Sequence, residues 1–187
     1  MKKVLLVVTL MLTIGIVANA QLKFGVKAGA NISNIAVDAD NKVGFNTGVF
    51  GEFKISKFAI QPEVLFSMQG AKGADTKFET SYINIPVMAK YYIIKGLSVE
   101  AGPQIGFLTS AKFKPTEGDS EDVKEIMKKT DFAINFGASY ELPIIPVGVF
   151  ARYSLGITDL YDKDKLGIDG GDLGKNRVFQ IGAFVKF

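Results

Sequence analysis

The chain has 187 residues, enough for one domain, and contains no Cys, His or Trp. Missing Cys and His exclude disulfides, thiolate or imidazole metal sites, and nucleophile pairs of the Ser-His or Cys-His kind. Twenty-two basic residues stand against 19 acidic ones, a near balance that leaves no electrostatic footprint for nucleic acid.

Residues 1–20 read as a cleaved secretory signal. Lys2 and Lys3 form a positive start, Val4 to Val17 is a continuous apolar run, and Ala18-Asn19-Ala20 is a small-x-small cleavage site. Cleavage between Ala20 and Gln21 would start the mature domain, residues 21–187, at Gln21. The run is too short for a membrane helix. No Cys follows the site, so no lipoprotein is expected.

Eight strand-like segments follow, recognised by side chains that alternate with period 2. The first is Leu22 to Asn31, with Phe24, Val26, Ala28 and Ala30 on one face and Lys23, Gly25, Lys27 and Gly29 on the other. The second, Gly44 to Lys54, sets Phe45, Val49 and Phe53 against Gly48, Phe50 and Glu52. The third, Phe58 to Gln69, sets Ile60, Val64 and Phe66 against Gln61, Glu63 and Ser67. The fourth, Tyr82 to Tyr92, sets Ile83, Ile85 and Val87 against Asn84, Met88 and Lys90.

The fifth, Leu97 to Leu108, opposes Val99, Ala101 and Ile105 to Ser98, Glu100 and Gln104. The sixth, Asp131 to Leu142, opposes Phe132, Ile134 and Phe136 to Asn135, Ser139 and Glu141. The seventh, Val147 to Ile157, opposes Val149, Tyr153 and Leu155 to Gly148, Arg152 and Ser154. The eighth, Arg177 to Phe187, opposes Phe179, Ile181, Ala183, Val185 and Phe187 to Val178, Gln180, Gly182, Phe184 and Lys186. No charge stands among the residues named here for the apolar faces.

Connections alternate between long (32–43, 70–81, 109–130, 158–175) and short (55–57, 93–96, 143–146), the habit of outer-membrane barrels. The third long loop has a helical pattern, with Asp119 or Ser120 as cap and Val123, Ile126 and Met127 as a stripe. The fourth is rich in Asp and Gly. It fails the EF-hand register, because Leu166 and Leu173 occupy ligand positions, and reads as a solvated loop.

These features predict an all-β fold: an eight-stranded antiparallel up-and-down transmembrane β-barrel behind a cleaved signal peptide. Eight strands leave an interior just wide enough for side chains. The mixed faces supply the small residues such a lumen needs. Aromatics near strand ends, among them Phe24, Tyr82, Tyr91, Tyr92, Tyr140 and Phe187, suit the two interfacial girdles.

Gln180-x-Gly182-x-x-Val185-x-Phe187 resembles the carboxy-terminal assembly signal of bacterial outer-membrane proteins, with Val185 departing from its aromatic preference. The segments F-A-I-Q-P-E-V-L-F-S-M-Q-G, Y-I-N-I-P-V-M-A-K-Y-Y and V-E-A-G-P-Q-I-G-F-L resemble the outer membrane protein β-barrel domain family, which includes porin family and PorT family proteins and small OmpA/OmpX-like barrels. The resemblance implies the outer membrane of a Gram-negative bacterium, with membrane lipid and the barrel-assembly machinery as partners. It implies no defined substrate.

Glu52, Glu63, Glu100, Glu141, Lys90 and Arg152 share the inward phase, as does Lys27. Buried charges must be paired, so they are expected to form a structural ionic network across the lumen. Arg152 is expected to contact Glu63, Glu100 or Glu52. No catalytic residue, metal site or cofactor is expected. The reading is a closed structural or surface-interaction barrel, with a narrow passive pore for small solutes as the alternative.

Overall fold

The computed structural model describes residues 21–34, 40–72, 76–115, 121–122, 128–159 and 175–187. The signal segment and its Ala18 and Ala20 therefore lie outside the described residues. So do the Asp- and Gly-rich stretch 160–174 and the apolar stripe of the expected helix.

The long strands are β1 (Gln21–Asn34), β2 (Asp40–Ile55), β3 (Phe58–Lys72), β4 (Thr76–Tyr92) and β5 (Leu97–Pro115), with a two-residue β6 (Glu121–Asp122) between them and β7 (Thr130–Glu141), β8 (Val147–Asp159) and β9 (Lys175–Lys186). Each long strand pairs antiparallel with its sequence neighbours, and β9 returns to pair with β1. The wall is thus a closed eight-stranded meander. Closure leaves no edge, which any β-structure in hydrocarbon requires. The short β6 only adds to the far end of β5, opposite Lys112 and Phe113. Glu121 and Asp122, expected to begin a helix, are therefore extended.

Alternation places the apolar faces outside. Phe24 is 55 % exposed, Phe136 50 % and Ile181 52 %. A soluble barrel would hide such side chains, since monomers rarely expose broad apolar surface; a membrane barrel gives them to lipid. The opposite phase is buried and mostly polar, from Lys27 on β1 to Lys186 on β9.

Pairing extends beyond the segments legible as alternating. β4 starts at Thr76 and β5 ends at Pro115, and Glu79 still faces Lys112 across the ladder. Past the hydrocarbon, backbone pairing continues while the requirement for apolar side chains lapses. The alternation signal fades there. A bulge sits at this transition: Ser81 opposes Ser110 and Tyr82 opposes Leu108, leaving Thr109 extra. The Thr109 hydroxyl donates to the Ser81 carbonyl at 2.9 Å. Tyr82, expected in the girdle, shares the phase of Asn84 and Met88 on β4, so it points inward and is buried.

The connections 56–57, 93–96 and 142–146 lie at one end, with Gln21 and Phe187. Two residues there adopt left-handed backbone: Ser56 (φ 58°) and Gly96 (φ 87°). At Gly96 a side chain would be strained, and its Cβ would come within 2.4 Å of the Glu141 carbonyl.

Candidate functional site: the lumen

The lumen is built by one inward side chain every second residue from eight walls. Glycine on the inward phase lets larger neighbours cross it. At Gly148 a Cβ would lie 2.2 Å from the ring of Phe184, and at Gly25 2.3 Å from that of Phe50. Phe50, Phe150 and Phe184 fill the space so freed and form a buried cluster. Phe50 and Phe184 meet edge to face, with centroids 5.9 Å apart, the arrangement ring quadrupoles favour.

Above this cluster lies Arg152, 1 % exposed. Its Nη1 and Nη2 donate to the two oxygens of Glu63 at 2.9 and 2.7 Å, and its Nε and Nη2 donate to Glu100 Oε1 at 2.9 and 2.7 Å. One planar fork thus binds two carboxylates at once with four fixed donor contacts, a geometry that the point charge of a lysine does not offer. Lys27 approaches Glu63 Oε2 at 3.3 Å and lies 3.9 Å over the Phe150 ring. Gln61 donates to Glu63 at 2.7 Å.

Below the aromatic cluster, toward the short turns, Lys186 Nζ donates to both oxygens of Glu52 at 2.9 Å and also bonds Glu141. The Tyr92 hydroxyl lies 2.9 Å from Glu52 Oε2 and 2.6 Å from Glu141 Oε1. Lys90 links the two clusters, 3.4 Å from Glu52 and 3.9 Å from Glu100. Four cations and four carboxylates therefore balance in one buried network. Such compensation is what a low-dielectric lumen demands.

Alternation in the sequence places Glu52, Glu63, Glu100, Lys90, Arg152 and Glu141 on the inward phase, and the structure brings all six together. Arg152 joins Glu63 and Glu100; Glu52 instead belongs to Lys186, Lys90 and Tyr92. Lys186 and Tyr92 were missed as members. Their signal was the phase itself, since Tyr92 follows Met88 and Lys90 on alternate positions. Tyr92 therefore leaves the girdle and enters the lumen, 5 % exposed.

The far half of the lumen is uncharged polar over most of its lining. Asn31 Nδ2 donates to Ser67 Oγ and the Met68 carbonyl, both at 2.9 Å, and Asn46 Nδ2 donates to Asn31 Oδ1 at 2.6 Å. Asn176 Nδ2 donates to Gln69 Oε1. Among the described residues, Asp131 is the buried carboxylate of this half.

Of the residues resembling an assembly signal, Gln180 faces the lumen and Val185 faces outward. Gly182 opposes Gly29 at the β1–β9 seam, where a Cβ would lie 2.2 Å from the Ala28 carbonyl. Phe187 is exposed and exchanges two backbone hydrogen bonds with Phe24, at 2.9 and 3.1 Å.

An inside-out eight-stranded barrel with a packed, charge-balanced interior defines a small integral membrane barrel. The family model described as outer membrane protein beta-barrel domain matches residues 18–162, and the chain belongs to that family. Membership sets it in the outer membrane of a Gram-negative bacterium. The fold is similar to the crystal structure of Neisserial surface protein A (14 % identity, TM-score 0.54). It is equally similar to Ail, the attachment invasion locus protein of Yersinia pestis, in complex with the heparin analogue sucrose octasulfate (18 % identity, TM-score 0.53). Each comparison covers 90 % of this chain and 99 % of the other. The sequence matches no curated protein.

Proposed function

We propose that this protein is a closed outer-membrane barrel whose work is structural or surface-interacting, carried by its long loops, rather than the passage of solutes or catalysis. The observation that carries this reading is the stack inside the lumen: Phe50, Phe150 and Phe184 packed between the Arg152 and Lys186 ionic clusters. Opening a path would require breaking ion pairs in a buried lumen, which costs several kcal/mol per uncompensated charge. Open aqueous channels belong to barrels of about sixteen strands. The similarity of fold to Ail, an attachment protein by name, supports a surface role.

In the same reading residues 1–20 direct export and are removed before Gln21. The strand ending at Gln180, Gly182, Val185 and Phe187 engages the assembly machinery. Single-channel recording of the refolded mature protein tests the closed state. A quiet bilayer is expected, and steady conductance on the scale of a general porin would overturn it.

A further inference from the structure

The geometry points to a binding site for an anionic amphiphile, a phosphate head joined to an acyl chain, at the short-turn end of the barrel. A cavity of about 650 Å³ opens there below the aromatic cluster, within the range of small-molecule sites, roughly 300–1,000 Å³. Its floor is Phe184 with Lys186 and Glu141, and that carboxylate is already engaged by Lys186 and Tyr92. Lys23, Lys54, Lys57 and Lys95 line the cavity. Lys54 lies 3.5 Å over the ring of Tyr92. Among the described residues Lys23, Lys57 and Lys95 have no carboxylate partner. The lining is therefore strongly cationic, unlike the balanced lumen above it.

The rim has the opposite chemistry. Ile93-Ile94 and Ile144-Ile145 form the tips of two turns that line the same cavity. Ile144 is 94 % exposed and Ile94 63 %. Turns favour Gly, Asn, Asp, Ser and Pro for backbone reasons; paired isoleucines serve no such need and gain only by covering apolar surface. Cationic walls beneath an apolar rim match a ligand with an anionic head and a hydrocarbon tail. A bare anion would leave the isoleucines uncovered, and a neutral lipid would leave the lysines unmatched. The source is either a phospholipid of the adjoining leaflet or a free single-chain lipid.

The test uses the full mature barrel in nanodiscs, with retained lipid counted by native mass spectrometry. In one arm the discs hold phosphatidylcholine with a minor share of phosphatidylglycerol. In the other they hold phosphatidylcholine alone, and lysophosphatidylglycerol is added from solution. Retention of one anionic lipid in the first arm assigns the leaflet as source; uptake confined to the second assigns the free lipid. Lys54→Gln/Lys57→Gln/Lys95→Gln should lower retention by at least about tenfold, as loss of several charge contacts near a membrane surface predicts. Lys57→Gln/Lys95→Gln leaves the Lys54–Tyr92 stack intact and should act in the same direction. Ile94→Ser/Ile144→Ser should also lower retention with charge unchanged. Equal retention of neutral and anionic lipid in both arms, indifference to the lysine substitutions, or displacement by equimolar inorganic phosphate would overturn the proposal. None of these readouts measures current, so they stand apart from the test of the closed lumen.

Discussion

Arg152 Nη2 stands 2.7 Å from Glu63 on β3 and 2.7 Å from Glu100 on β5, so one side chain of β8 ties three separated walls together across the lumen. Arg152→Ala would leave two buried carboxylates without their strongest donor. Loss of one partner from a buried pair costs about 3–5 kcal/mol, read as a lower urea midpoint in lipid refolding. Arg152→Lys should recover only part of this, because an ammonium cannot span both carboxylates in a plane. A full recovery would show that charge alone, and not the fork, is what the site needs.

The second cluster is held by a hydroxyl. Tyr92→Phe keeps the ring beneath Lys54 but removes the donor shared by Glu52 and Glu141. Lys186 still reaches both carboxylates. The expected loss is that of one buried hydrogen bond to a charged group, about 1.5–3 kcal/mol, measurable by the same titration. Combining Tyr92→Phe with Arg152→Ala measures the coupling: additive losses would mean the two clusters act independently, and non-additive ones that they form a cooperative unit.

The two faces of the wall should respond differently to charge. Ile134→Arg and Val87→Arg, both on the outward phase, should each cost about 2–4 kcal/mol if near the bilayer midplane. Ser98 lies inward, with its hydroxyl 2.8 Å from that of Ser139. Ser98→Ala should cost about 0.5–1.5 kcal/mol, the net worth of one hydrogen bond. Equal penalties on both faces would refute the assigned phasing.

Glycines of the wall are not equivalent. Gly148→Ala would drive a methyl against Phe184, whose ring is held by its neighbours, and overpacking of this kind costs about 1–3 kcal/mol. Gly51 sits on the outward phase, with its nearest neighbour atom 3.7 Å from the position of a Cβ, and Gly51→Ala should be neutral in thermal or urea unfolding. Destabilisation by both would point to backbone twist rather than lumen packing.

Much of this barrel is legible in the sequence because lipid imposes a rule: across the hydrocarbon the outward residue of nearly every pair is apolar. Ile134 and Phe136 therefore flank an inward Asn135 visibly. The rule lapses beyond the hydrocarbon, which is why the outer reaches of β4 and β5 lie in segments whose sequence has the character of a loop. Partners inside the lumen are a different matter. Phase shows that Arg152, Glu63 and Glu52 all point inward, but not that Arg152 meets Glu63 while Glu52 meets Lys186. Height along the barrel decides that, and it depends on stagger between strands. The aromatic cluster was hidden for the same reason, since Phe50, Phe150 and Phe184 lie on β2, β8 and β9 and meet only after closure.

Closure itself rests on the last pairing of the chain. Phe187 exchanges two hydrogen bonds with Phe24, while its side chain is largely exposed and takes no part in the buried packing of the lumen. Deleting Phe187 removes one pair from a seam that still runs from Gly25–Lys186 to Asn34–Arg177. Refolding into detergent should therefore proceed nearly as before. On the proposal that this strand is read by the assembly machinery in cells, the terminal aromatic ring serves recognition rather than packing. The deletion should sharply reduce the amount of protein in the outer membrane while the refolded protein still shows its heat-modifiable gel shift. Amino-terminal sequencing of the membrane fraction should find Gln21 first in both forms, separating an assembly fault from an export fault. Normal insertion of the shortened chain would sink the assignment of this strand as an assembly signal.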